Sequence, residues 1–112
     1  MIYVEGGSSV QQRLAKDLYV FCSQALNIKK QIDVDLKIKV VKNAQAWTDH
    51  EGEGKFYIDI DKNLSIDKFI TAFCHEMIHV IQHLRDKPIS EKEAYQLEVS
   101  LAESFKVKFS NG

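Results

Sequence analysis

The sequence predicts an α+β chain: one helix, then a small, mostly antiparallel three-stranded sheet, then two helices. Three observations lead there. Apolar and charged residues alternate without a break from Ile32 to Val40, a long apolar stripe at helical spacing begins at Ile66, and a second stripe follows Pro88. A length of 112 residues leaves room for one core, so residues 1–112 are expected to form a single domain.

Each element has a local cause. Ser9 followed by Gln12 reads as a capping box, and Leu14, Leu18, Phe21, Cys22 and Ala25 then recur at three- and four-residue steps. Asn27 and the lysine pair after it end that helix. The run Ile32-Asp33-Val34-Asp35-Leu36-Lys37-Ile38-Lys39-Val40 has the period of a strand with one wet face. A second short strand is expected over Gln45 to Thr48 and a third over Phe56 to Ile60, with the loop His50-Glu51-Gly52-Glu53-Gly54 between them.

From Ile66 the period becomes helical. Ile66, Phe69, Ile70, Phe73, Met77, Val80, Ile81 and Leu84 form one stripe, with Ser65 or Asn63 as cap and Asp67 in the first turn. Pro88 stops the helix. Ser90 and Glu93 form another capping-box pattern, and the face Ala94, Leu97, Leu101 and Phe105 follows. The segment Lys106 to Phe109 alternates like a strand but reads as the end of this last helix.

Charge and composition exclude several function classes. Fifteen basic and 16 acidic side chains give a net charge of -1, so no global positive field attracts nucleic acid or an anionic membrane. The start Met1-Ile2-Tyr3-Val4-Glu5 lacks the basic residues and apolar run of a signal peptide, and no segment is apolar enough to span a bilayer. Cys22 and Cys74 fall on apolar helix faces, which predicts buried free thiols in a cytoplasmic protein, with a Cys22 to Cys74 bridge as the alternative.

His75-Glu76-Met77-Ile78-His79 carries the chemistry. Its spacing is His-Glu-x-x-His, and the helix around it follows from the apolar stripe, independently of the motif. Residues four apart lie one above the other, so two imidazoles can hold one zinc ion while Glu76 faces a metal-bound water as general base. A third ligand is required. His83 starts about 12 Å from His75 along the axis, too far to share an ion with bonds of about 2 Å. His50 is expected in a surface loop. The last helix offers Glu91, Glu93, Glu98 and Glu103; Glu91 and Glu98 fall beside Ala94, whereas Glu93 lies across the stripe in the Ser90 capping box. Glu91 is therefore the expected ligand, with Glu93 as the alternative.

These residues resemble the gluzincins, zinc peptidases whose third ligand is a glutamate on a following helix. The resemblance lies in His75 to His79, in Glu91-Lys92-Glu93-Ala94, and in Asn43-Ala44-Gln45-Ala46-Trp47, which is similar to an Asn-Ala-x-Trp edge strand with one residue added. It implies a minimal zincin-like fold of backing helix, small sheet, active-site helix and glutamate helix. It further implies a peptide or protein substrate paired along the sheet edge, with Asn43, Ala44, Ala46 and Trp47 as substrate-binding residues. Many relatives carry an Asp four residues after the ligand glutamate; here that position is Tyr95, which gives Tyr95 or Glu98 an orienting or oxyanion role. The expected activity is zinc-dependent peptide hydrolysis. The alternatives are a deformylase-like amidase and a zincin-like protein-binding or regulatory module without turnover.

Overall fold

The computed structural model describes residues 1–52 and 54–110. In chain order the elements are β1 (Ile2–Gly6), α1 (Ser9–Ala25), β2 (Asp33–Lys39), β3 (Ala46–Glu51), β4 (Lys55–Asp61), α2 (Ile66–Leu84) and α3 (Glu91–Ser110).

The architecture is α+β, with a sheet that differs from the expected one. Among the described residues it has four strands in the order β1-β2-β4-β3; β1 is parallel to β2 and β2 to β4, and β3 and β4 pair antiparallel. The missed strand is β1, too short to display a period before Gly6 and Gly7 interrupt it. The chain returns from β1 through α1, and such a crossover sets β2 parallel to it. β2 and β4 are parallel because β3 is laid down at the far edge and the chain turns back between them.

Alternation in β2 buries Val34, Leu36 and Ile38, and β4 adds Phe56, Ile58 and Ile60 to the same core. β3 runs three residues further than expected, so His50 stands in a strand rather than a loop. Glu53 of the expected loop lies outside the described residues.

Helix α1 starts one residue earlier than the capping pattern suggested. Ser8 is the cap: its side chain accepts from the Gln11 backbone N–H, and the Gln11 side chain accepts in return from the Ser8 N–H. Ala15, Leu18 and Cys22 face inward from α1. Cys22 and Cys74 are free, buried thiols with 3.9 Å between their sulfurs.

Helix α2 is the centre of the molecule. Ser65 caps it, accepting from the Lys68 N–H, and it packs against α1, α3, β3 and β4. Every residue from Phe69 to Gln82 except Thr71 is buried. Four of them, His75, Glu76, His79 and Gln82, are polar, and burial obliges each to find a partner.

Helix α3 buries Ala94, Ala102 and Phe105, with Glu98 half-buried among them. Leu97, expected on that face, is 44% exposed. The inward line 94, 98, 102, 105 follows the helical period with a carboxylate in it, and an apolar stripe read from residue type passes over such a position. The segment Lys106 to Phe109 is helical. No helix of the described residues is long and apolar enough to cross a membrane.

Candidate metal centre and its cleft

His75 and His79 are one turn apart on α2, and Glu91 is the first residue of α3. Their ligand atoms converge. His75 Nε2 lies 3.1 Å from His79 Nε2 and 3.2 Å from Glu91 Oε2, and Glu91 Oε1 lies 2.6 Å from His79 Nε2. Tetrahedral coordination with bonds of about 2.0 to 2.1 Å puts ligand atoms about 3.3 Å apart, close to this spacing.

The hydrogen bonds behind the rings fix which atoms face the cluster. Nδ1 of His75 lies 2.9 Å from Glu98 Oε2, and Nδ1 of His79 lies 2.9 Å from Gln82 Oε1. The amide end of Gln82 is fixed in turn, because its Nε2 donates to the Ser90 carbonyl and to Glu93 Oε1. Both acceptors therefore call for a proton on Nδ1, and a neutral imidazole protonated there presents a bare lone pair at Nε2. Two lone pairs and a carboxylate then meet at one point without a donor among them. Such a set repels itself unless a cation or extra protons sit within it. The residues present thus fit a metal ion, and His75, His79 and Glu91 could hold one.

Gln82, which is 1% exposed, went unnoticed in the sequence. Besides orienting His79 it accepts from the Ser90 N–H, so it grips both backbone polar groups of the residue before Glu91. One side chain thereby ties the second histidine to the start of the glutamate helix. A glutamine three residues after His79 on a buried stripe was the available signal. Glu93 is drawn off to Gln82 and does not join the cluster, while its N–H donates to Ser90 Oγ. The acid–histidine pairing expected from Glu98 or Tyr95 falls to Glu98; the Tyr95 ring packs at 4.8 Å, tilted, against that of His75.

Glu76 is 5% exposed and lines the same cleft. Burial pushes its pKa up, opposed by the hydrogen bond donated from Thr48 Oγ1 to Oε1, 2.7 Å long, and by His75 and His79. The cleft has a volume of about 570 Å³ and runs between the β3 edge and the helices α2 and α3. Asn43, Ala44, Ala46 and Trp47 line it on the strand side, and Asn43 turns the chain into β3 with a φ of 67°.

His83 also reaches the cleft, though not the ligand cluster. It meets His50, whose side of β3 it faces: the two ring centroids are 3.7 Å apart with the planes tilted by 34°, and Phe56 meets His83 edge-on at 5.5 Å. Spacing along α2 excluded His83 as a ligand but could not reveal a partner from another strand. No known protein family, curated protein or solved structure matches this chain.

Proposed function

We propose that this chain is a zinc-dependent metallopeptidase of the gluzincin kind, built on a compact zincin-like fold, that hydrolyses peptide bonds. One observation carries the reading: His75, His79 and Glu91 turn three acceptors toward a single point beside a buried carboxylate, Glu76, in an open cleft. Two imidazoles and one carboxylate suit zinc better than magnesium or calcium, which favour oxygen ligands alone. When bound there, zinc would lower the pKa of a coordinated water to about 7 and polarise a peptide carbonyl.

The chain's own groups divide the remaining work. Thr48 holds Oε1 of Glu76, leaving Oε2 to take a proton and return it to the departing amine. An upward-shifted pKa suits a carboxyl that must do both. Glu98 and Gln82 orient the two rings. Among the described residues β3 pairs with β4 alone, so its other edge is available to an extended peptide lying over Asn43, Ala44, Ala46 and Trp47. The free thiols Cys22 and Cys74 are in keeping with a cytoplasmic setting. A deformylase-like site requires a thiolate ligand, and both cysteines are instead turned toward each other in the core.

The test is a Glu76→Gln protein beside the native one, each titrated with zinc and incubated with casein. Native protein should bind one zinc and cleave, and the variant should bind zinc equally and leave casein intact. Cleavage by both proteins would remove Glu76 from the mechanism. Zinc binding without turnover by native protein would favour a binding or regulatory module.

A further inference from the structure

We propose that the paired His50 and His83 rings form a carboxylate-binding subsite at one end of the cleft, so that the peptides taken carry a carboxylate about two residues from the bond cleaved. The proposal rests on the peptidase reading for what the occupant is. The pair itself is built by the fold.

Side chains two apart on a strand share a face, so Ala46, Thr48 and His50 point the same way from β3, and Thr48 is the residue that touches Glu76. His83 stands one turn beyond His79 on α2. From Thr48 to His50 is about 6.6 Å along the strand, and from His79 to His83 about 6 Å along the helix. Both steps lead the same way, because the two histidines meet. The pair therefore lies about two residues of extended peptide from Glu76 and the ligand cluster.

Its chemistry selects an anion. The planes tilt by 34° and no third His, Cys, Asp or Glu completes a ligand group with the pair among the described residues, which disfavours a chelated metal and favours a forked pair of N–H donors. With centroids 3.7 Å apart, the two rings can each donate to one oxygen of a carboxylate. Among the described residues no acid pairs with either ring: Asp49 and Glu51 alternate to the other face of β3, where Asp49 accepts from the His50 N–H and Glu51 from the Tyr57 hydroxyl. Buried Phe56 supports His83 edge-on and backs the pair.

The carboxylate can be the end of the peptide or an acidic side chain, and a binding experiment separates the two without requiring turnover. Zinc-loaded Glu76→Gln protein is titrated with N-acetyl-trialanine, with its C-terminal amide, and with an amide carrying Glu in the third position, following the histidine ring signals by NMR. At least one carboxylate peptide should bind about tenfold more tightly than trialanine amide and shift the His50 and His83 signals; whichever does identifies the source. His50→Gln and His83→Gln should each erase that preference while leaving zinc affinity and amide binding unchanged. His50 is exposed, so its variant folds even if the His83 variant does not. The proposal is overturned if the amide binds as tightly, if no carboxylate peptide binds, or if the preference survives in His50→Gln, which would assign it to the zinc. Failure of casein cleavage in native protein would count against the peptidase reading and leave this result standing.

Discussion

Glu98 Oε2 sits 2.9 Å from Nδ1 of His75, while Glu91, two turns earlier on the same helix, approaches Nε2 of that ring. One face of α3 thus supplies both a candidate ligand and the group that sets the tautomer of another candidate ligand. The charges add up as well: Glu91 and Glu98 together would balance a divalent cation held there. Replacing an orienting group of this kind costs about 10- to 100-fold in metal affinity. Glu98→Ala should weaken zinc binding by that factor in competition with a chromophoric chelator, and Glu98→Gln, which keeps an acceptor, should lose less. Unchanged affinity in both would mean that His75 is held by packing alone.

Gln82 makes a different prediction because it has two jobs. Gln82→Leu removes the acceptor from His79 Nδ1 and from the Ser90 N–H, while the Ser90 carbonyl keeps the Ala94 N–H. A buried polar group left unsatisfied costs about 1 to 3 kcal/mol. Urea unfolding of the metal-free variant should show a loss in that range, together with weaker zinc binding. A loss of stability with normal zinc affinity would assign Gln82 to the α2 to α3 connection alone.

The contrast between these two residues bears on what can be read from sequence. His75, Glu76 and His79 were legible because all three lie within one helical turn, where spacing determines geometry. Glu91 was legible by direction: an angle of about 100° per residue separates it from Glu93, and it is Glu93 that bonds to Gln82. The strand alternation from Ile32 gave β2, but nothing local states that β1 lies beside it, since parallel neighbours are joined only through the long path of α1. His50 and His83 escaped for the same reason. Their contact joins residues 33 apart in sequence on different elements, and neither position looks unusual by itself.

The missed strand has a glycine that tests its pairing with β2. Gly6 ends β1 at a φ of 81°, and a Cβ there would meet the Ile38 carbonyl oxygen at 2.4 Å. The obstacle is backbone, which cannot swing aside. Left-handed geometry costs a non-glycine residue about 1 to 2 kcal/mol before any clash is counted. Gly6→Ala should therefore lose about 2 kcal/mol or more in urea unfolding, whereas Gly52→Ala, at a φ of 61° with nothing within 4 Å, should lose only the conformational part. Equal losses would mean that β1 does not seat against β2 as described.

The thiol pair predicts how stability changes in alkali. The neighbouring Cys74 thiol and then burial raise the pKa of Cys22 far above its ordinary 9.0. A raised folded value means that the native state keeps a proton which the unfolded chain releases. The stabilisation is complete below pH 9 and is lost as pH rises past it, at about 1.4 kcal/mol per pH unit for one proton. Cys22→Ala removes this dependence along with the packing of the sulfur. Urea unfolding under reductant at pH 7, 8, 9 and 10 should show native protein ahead of the variant at pH 7, with the gap narrowing only above pH 9. A gap constant across the series would mean that the Cys22 thiol meets water readily in the folded state, and rapid alkylation of native protein at pH 8 would then accompany it.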